Sequence, residues 1–351
     1  MDDALPGLEW PAVERWVLDH VDGVVGPLRA SLIAAGGSNL TFRIEDDTGR
    51  AVALRRPPVA AVLATAHDMD REWRILDALA ATPVPVPAAL ARCDDADVTG
   101  APFYVMAFAD GSILRTEADG DRLRADAATV ATDSLVDVQV ALHALDVEEV
   151  GLGDLAKHRT GYVERQLRRW KTQVERARVR DLPLLDELHD HLAASVPAEA
   201  GAPSLVHGDY RFDNVVLGAD GRVAAVLDWE LATIGDAVAD ACWSLLYWAD
   251  PGDALPVLTS APTLADAFPR RAEVAERYAK RSGRDLGALG WFTVFGYWKM
   301  ACIVEGVHAR RLQGASGGGG QGDPATIAAR VDGLLAAARD ASTGLSWGTL
   351  G

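Results

Sequence analysis

Leu205-Val206-His207-Gly208-Asp209-Tyr210-Arg211-Phe212-Asp213-Asn214, followed by Leu227-Asp228-Trp229-Glu230, is the stretch that decides how this chain folds and what it does. Between its two parts lie Val215-Val216-Leu217, the turn Gly218-Ala219-Asp220-Gly221 and a second apolar run from Val223 to Leu227. Short β-branched runs on either side of an Asp-Gly turn predict a hairpin. A hairpin returns the chain to where it left, so Asp228 comes back beside Asn214. Asp220 belongs to the turn itself and is no site residue.

Asp209 and Asn214 stand five apart, the spacing of the Asp and Asn in a kinase catalytic loop. Two oxygen-bearing side chains, Asn214 and Asp228, suit Mg²⁺, a hard cation that takes one or two protein ligands and keeps waters and substrate phosphates for the rest. Asp209 is then the group that takes a proton from an acceptor hydroxyl. Arg211, between these positions, would either stabilise charge on a transferring phosphoryl group or pair with a neighbouring acid. His207 reads as an architectural hydrogen-bonding residue, Asp213 as structural, and Asp236 and Asp240 as caps or loop anchors.

Upstream, Leu28 to Ala34, Leu40 to Glu45 and Ala51 to Arg56 read as an antiparallel meander separated by Gly36-Gly37-Ser38-Asn39 and Asp46-Asp47-Thr48-Gly49. The first hundred residues read mainly as strands, with one helix from Val59 to Ala81 and a further strand from Phe103 to Phe108. Beyond Asp110-Gly111 the pattern turns helical. Leu123 to Leu145 has one buried face, and Tyr162 to Arg180 is basic and polar, read as a helix with a solvated outer face. Gly314 to Asp323 reads as a flexible loop.

The segment His207 to Asn214 with Leu227-Asp228-Trp229-Glu230 resembles the aminoglycoside phosphotransferase family of kinase-like enzymes, with its choline, homoserine and fructosamine kinase relatives. Gly36 to Thr41 is similar to that family's nucleotide loop and Phe103-Tyr104-Val105-Met106 to its strand into the hinge. Leu54-Arg55-Arg56-Pro57-Pro58, Trp229 to Asp236 and Trp298 to Gly306 resemble the branch that includes the kinase-like domain of certain acyl-CoA dehydrogenase fusions. The resemblance implies an α+β, bilobal protein-kinase-like fold. Residues 1–109 would form a small antiparallel β N-lobe and 110–351 a larger, mainly helical C-lobe.

It further implies ATP and Mg²⁺ as cofactors. Gly36, Gly37, Ser38 and Asn39 would cradle phosphates, since glycine lets backbone approach them. Arg55 occupies the place of the usual phosphate-pairing lysine, with Glu72 as its ion-pair partner and Asp68 and Asp70 as competing surface acids. Met106, Ala107, Phe108 and Ala109 would hold adenine, the backbone of Ala107 and Ala109 making the polar contacts. The expected acceptor is a small-molecule hydroxyl, either a hydroxyacyl-CoA or hydroxy acid, or an aminoglycoside, sugar or amino alcohol for which Glu230, Asp236 and Glu305 could supply carboxylates. Acceptor selectivity is expected from the C-terminal helices, where Trp291, Phe292, Phe295, Tyr297 and Trp298 make an aromatic block beside Lys299 that, at helical spacing, reads more readily as core than as pocket wall. Two other readings remain, an inactive nucleotide-binding pseudokinase, motivated by Arg55, and a metal-dependent hydrolase using Asp209, Asp228 and His207.

Composition bounds the remainder. The 351 residues carry 51 acidic and 34 basic side chains, a net charge of −17, with 49% hydrophobic residues and three cysteines. That length suggests about two domains. The cysteines, Cys93, Cys242 and Cys302, are too few and too scattered for a disulfide framework, which points to a reducing cytoplasm. The acidic Met1-Asp2-Asp3-Ala4 start is unlike a signal peptide, and the apolar stretch Leu286 to Trp298 is too short to span a bilayer. The net charge argues against nucleic acid or a membrane surface as partner, and says little about the acceptor.

Overall fold

The computed structural model describes residues 5–35, 39–58, 62–199, 201–253, 257, 260–314 and 323–343. Strands β1 (Leu28–Ala35), β2 (Leu40–Asp46), β3 (Ala51–Arg56), β4 (Ala89–Cys93) and β5 (Phe103–Ala107) form one antiparallel sheet in the order β1-β2-β3-β5-β4. Successive strand residues point to opposite faces, and both faces are covered. Phe42, Ile44, Val52, Leu54, Phe103 and Val105 pack with Val13 and Val17 of helix α1 (Trp10–His20). Ala53, Tyr104 and Met106 pack on the other side with Met69, Ile75, Leu76 and Leu79 of helix α2 (Val62–Leu79). Arg55 shares this second face, its register partners being Thr41 and Tyr104. That alternation delivers a cation to α2.

Two of these elements depart from the reading of the first hundred residues as mainly strands. Helix α1 buries Val13 and Val17 and packs Trp10 and Trp16 against the same cluster, a helical repeat that a reading of this region as mainly strands leaves out. Strand β4 is the alanine-containing Ala-Leu-Ala-Arg-Cys directly after a proline run, with little β propensity of its own; pairing with β5 makes it a strand. The glycine turn at 36–38 and the start of the expected helix at 59–61 lie outside the described residues.

The rest is mostly helical, so the molecule is a mixed α+β protein with its antiparallel sheet at the N-terminal side. Two single turns, α3 (Ala96–Thr99) and α4 (Glu117–Gly120), precede α5 (Ala125–Ala144), α6 (Tyr162–Ala177) and α7 (Pro183–Ala194). Then come β6 (Ser204–Val206), the hairpin β7 (Val215–Leu217) and β8 (Val223–Val226), and β9 (Thr233–Gly235), which pairs antiparallel with β6. Helices α8 (Ala237–Tyr247), α9 (Arg271–Ser282), α10 (Leu289–Leu312) and α11 (Pro324–Ser342) complete the chain. Residues 315–322 of the expected glycine-rich loop are outside the description. Among the described residues no helix is long and apolar enough to cross a membrane, and all three cysteines are free and buried.

Helix α10 is the pillar of the helical part. Trp291, Phe292, Phe295 and Trp298 are buried, and they pack with Val163 and Leu167 of α6, Leu185 and Leu188 of α7, and Val331 and Leu334 of α11. The fully buried Trp298 donates its indole N–H to the Leu185 carbonyl at 3.0 Å. The aromatic block is therefore mainly core, as its helical spacing suggests.

The α6–α7 corner is tied by Asp186, which takes two hydrogen bonds from Arg178, at 2.7 and 3.0 Å, and a contact from Lys171. The Arg178 hydrogen bonds, against some burial and helped by Lys171, hold the Asp186 carboxyl down at about 2. A carboxyl depressed in the folded state contributes stability above its unfolded pKa of about 3.9, and that contribution is lost as pH falls towards the folded value. Asp186→Asn should therefore lower the urea midpoint near pH 6, and the gap to wild type should narrow as pH drops from about 4 towards 2. A gap constant over that range would mean that the ion pairs contribute nothing.

Candidate active site

The β6–β9 pair places the loop that opens with His207. His207 is fully buried. Its Nδ1 accepts the Asp209 amide at 3.2 Å, so its Nε2 carries the proton donated to the Leu227 carbonyl at 2.9 Å. Both nitrogens are committed to tying the loop to the end of β8, as an architectural residue requires. A second tie comes from Asp240 on α8, which accepts the His207 and Gly208 amides at 3.2 and 2.8 Å and the His143 Nε2 at 3.1 Å. Burial would raise the Asp240 carboxyl, but His143 and the Gly208 amide outweigh it and hold it below the usual range. Asp236 caps α8, accepting the Val238 and Ala239 amides at 2.7 and 3.0 Å.

The hairpin does what its turn predicts. Leu227 donates its amide to the Asn214 carbonyl at 2.8 Å, bringing Asp228 beside Asn214. Asp228 has φ +64°, the only non-glycine residue with positive φ among those described. L-residues adopt this conformation at a cost of about 1–3 kcal/mol, so the backbone is bent here to aim a side chain. Asn214 donates Nδ2 to the Asp209 carbonyl and to Asp209 Oδ2, both at 2.8 Å. Its Oδ1 accepts no hydrogen bond among the described residues. Asp209 itself is partly buried, with Arg211 Nε 3.4 Å from Oδ1.

Arg211 also lies 3.4 Å from Asp213 Oδ2, with its guanidinium carbon 4.8 Å from the Tyr247 ring centre. Of the two roles open to it, the geometry supplies the ion pair: the guanidinium is held between two carboxylates and an aromatic face.

Across from this loop, Arg55 sits in an acidic nest. Its Nε is 2.8 Å from Glu72 Oε2, its Nη2 contacts Asp228 Oδ1, and Glu230 lies 3.7 Å away. Burial opposes the charge on Arg55, but Glu72 and then Tyr104 and Asp228 hold it above the ordinary arginine range. Burial pushes the Glu72 carboxyl up while Arg55 pulls it down, the net direction being upward. Tyr104 donates to Glu72 Oε2 at 2.8 Å. Of the competing acids, Asp70 pairs with Arg92 instead, and the side chain of Asp68 lies outside the described ones.

Asn39 departs from the phosphate-cradle expectation. Its side chain is buried and donates Nδ2 to Glu72 Oε1 and Glu230 Oε2, both at 3.1 Å, so it braces the acids around Arg55. Gly36, Gly37 and Ser38 are outside the described residues. At the hinge, Met106 is buried and Phe108 carries Arg43 4.6 Å over its ring. The Ala107 amide is spent on the Ala88 carbonyl at 2.8 Å, so it has no N–H to give adenine. Ala109, in contrast, makes no backbone hydrogen bond among the described residues, and its amide and carbonyl remain for a ligand.

Asp209 also faces a cavity of about 550 Å³, walled by Tyr162, Trp170, Trp243 and Tyr247 and carrying Lys157, His158, Arg165, Arg169 and Lys299. Asp209 is its one carboxylate. Glu230, Asp236 and Glu305 do not line it; Glu305 is buried against Arg180 and His308. The face of α6 expected to be solvated is thus one wall. A signal for this was present: Tyr162, Arg165, Gln166, Arg169 and Trp170 repeat at helical spacing, opposite the apolar stripe of Val163, Leu167 and Val174. Burial pushes the Lys299 ammonium down to about 8, against the pull of Asp240 and Asp209.

Comparison with known proteins agrees with this arrangement. Residues 29–291 match the model of the phosphotransferase enzyme family. The chain is 32% identical over 312 residues to rat (Rattus norvegicus) acyl-CoA dehydrogenase family member 11, and 33% identical over 314 residues to the chicken (Gallus gallus) protein of that name. Each match covers 86% of this chain and 40% of the relative, so the chain spans less than half the length of these curated relatives. Among solved structures, a Ralstonia eutropha protein described as a candidate aminoglycoside phosphotransferase superposes with a TM-score of 0.80 at 29% identity, covering 95% of this chain and 98% of that one. Choline kinase from Cryptosporidium parvum shares the fold at a TM-score of 0.64 and 12% identity, covering 95% of this chain and 96% of its own. With the family model matching well over half of the sequence, the chain belongs to the phosphotransferase enzyme family and is an enzyme of the kinase type.

Proposed function

We propose that this enzyme transfers the γ-phosphoryl group of ATP, with Mg²⁺, to the hydroxyl of a small hydroxyacyl thioester or hydroxy acid. The observation that carries the reading is the position of Asp209, with the Asn214–Asp228–Arg55 cluster on one side and the aromatic, cationic cavity on the other. The donor set suits Mg²⁺. Asn214 offers an amide oxygen with no protein partner and Asp228 a carboxylate, while no group of three or more His, Cys, Asp or Glu residues able to hold a metal occurs among the described residues. Two hard oxygen donors without a full protein cage are what a cation needs that shares its shell with phosphates. Asn214 and Asp228 would hold the Mg²⁺, which when bound would offset the negative charge of the nucleotide phosphates.

The protein's own contributions follow from the contacts. Asp209 accepts the acceptor's proton at Oδ1 or Oδ2, with Asn214 Nδ2 and Arg211 fixing the carboxylate's orientation. His207, with both ring nitrogens hydrogen-bonded, holds the loop in place. Arg55 supplies fixed positive charge for the phosphates, and Glu72, Tyr104 and Asn39 hold it in place. The apolar walls suit an acyl chain, and the acyl-CoA dehydrogenase names of the relatives make an acyl thioester the leading acceptor. The aminoglycoside alternative would need carboxylates around Asp209, and those expected to serve lie elsewhere.

ADP release measured with a hydroxyacyl-CoA, a hydroxy acid, a sugar and an amino alcohol tests the acceptor class. Turnover confined to the last two would refute it. Arg55 separates a kinase from a pseudokinase. Arg55→Lys, which keeps the charge but loses the planar fork, should retain Mg²⁺-dependent turnover with a raised KM for ATP. Arg55→Met should weaken nucleotide binding by at least ~10-fold, equivalent to about 1.4 kcal/mol, in calorimetric titration. Nucleotide affinity indifferent to both changes would remove Arg55 from the phosphate site.

A further inference from the structure

The cavity beside Asp209 holds positive charge that the protein does not neutralise. Lys157, Arg165, Arg169 and Lys299 line it together with the imidazole of His158, and none of them forms an ion pair among the described residues. This is unusual in a chain with 51 acidic against 34 basic side chains. On the same helix Lys171 meets Glu175 and Asp186, and just beyond it Arg178 meets Asp186 and Arg180 meets Glu305 and Asp332, while the exposed Arg168 and Arg176, which do not line the cavity, form no ion pair among the described residues. What sets the cavity apart is a partly buried ammonium, that of Lys299, without a carboxylate partner among the described residues.

Lys299 is the sharpest case. Its ammonium sits 3.6 Å from the centre of the Trp243 ring and 5.8 Å from that of Trp170, and it has no hydrogen bond or carboxylate contact among the described residues. Indole faces attract a cation but leave its three N–H donors free for something else. Lys299 and Arg165 are partly buried, whereas Lys157, His158 and Arg169 are exposed and stand at the mouth.

We propose that Lys299 is the residue that selects the acceptor: seated on Trp243, it receives the acyl oxygen of the substrate while the substrate hydroxyl lies at Asp209. The exposed cations at the mouth then receive the phosphates of the thioester's carrier. The site takes a hydroxyl compound bearing an acyl or other anionic group and rejects a polycation. This rests on the phosphotransfer reading above and adds the residue that sets its specificity.

The test compares kcat/KM for a hydroxyacyl-CoA, the free hydroxy acid and the diol of equal chain length, in wild type, Lys299→Met and Lys299→Arg. Wild type should prefer the two acyl compounds over the diol. In Lys299→Met that preference should collapse by about 10- to 100-fold, the range for losing a hydrogen bond from a charged group, through the acceptor KM and not the KM for ATP. Lys299→Arg should restore part of it. An equal loss for diol and acyl acceptors, or a loss expressed in the KM for ATP, would show Lys299 to be structural and overturn the proposal. Calorimetric binding of the acyl-CoA lacking the hydroxyl separates recognition from transfer. Binding that weakens in Lys299→Met while no acceptor turns over in wild type supports the recognition and refutes the phosphotransfer reading. Turnover with no dependence of acyl selectivity on Lys299 does the reverse.

Discussion

Asp209→Asn is expected to lower kcat by about 10²- to 10⁴-fold, the usual worth of a positioned general base. The substitution is nearly isosteric, so the loop should survive it. Asn214 still has the Asp209 backbone carbonyl to bond, and the His207 and Asp240 ties to the loop involve backbone amides that the change leaves in place. What disappears is the basic oxygen facing the cavity. Nucleotide affinity, set by the Arg55 and Asp228 side of the site, should stay close to wild type in calorimetric titration, and the melting temperature with it. A fall in nucleotide binding matching the fall in rate would place Asp209 on the wrong substrate.

Removing the Asp228 carboxylate should abolish turnover, and its backbone gives the experiment an internal control. At φ +64° an alanine keeps the strain of the left-handed region while a glycine does not. Asp228→Gly should therefore be more stable than Asp228→Ala by about 1 kcal/mol, reversing the order found in helix or strand interiors. Both variants lose the Arg55 contact and the carboxylate proposed to hold Mg²⁺, so both should be inactive in an ADP-release assay. Steady-state rates and urea midpoints on the pair separate the two effects. Near-normal activity in either would remove Asp228 from the metal site, and an alanine variant as stable as the glycine one would mean that the bend costs nothing.

What the amino-acid order could reveal depended on whether the signal was local. The hairpin between Asn214 and Asp228 is written in adjacent residues, with β-branched runs and an Asp-Gly turn, so its return was readable before any coordinates. The same holds for β1 to β3, and for Arg55 on the α2 face, which period-two alternation fixes. Strand β4 was not readable, because pairing to β5 makes it, whereas helix α1 carries a local signal, Trp10, Val13, Trp16 and Val17 at helical spacing, that reading the first hundred residues as mainly strands leaves out. Asn39 looked like part of a phosphate turn from its neighbours in sequence, yet Glu72 and Glu230, 33 and 191 residues away, claim its amide. The Ala107 amide was likewise lost to Ala88, just ahead of the neighbouring strand β4.

The acceptor side shows the same division. The aromatic residues of α10 are conspicuous in the sequence and turn out to be core, since a helix with neighbours on several sides buries residues all round. The wall of the cavity comes from α6, whose basic stripe looked like an ordinary solvated face. Only the placement of Lys299, Asp209 and Trp243 opposite it, on three other elements, gives that stripe something to enclose. The overall charge of −17 concealed a local positive site for this reason.

The central claim is transfer of a phosphoryl group from ATP to a hydroxyl at Asp209. It is tested most directly by incubating the wild-type enzyme with ATP, Mg²⁺ and a hydroxyacyl-CoA and quantifying ADP and phosphorylated acceptor together. The account predicts one phosphorylated acceptor for each ADP, with little ADP when the acceptor is omitted. ADP formed at full rate without acceptor, accompanied by inorganic phosphate and no phosphorylated product, would contradict it.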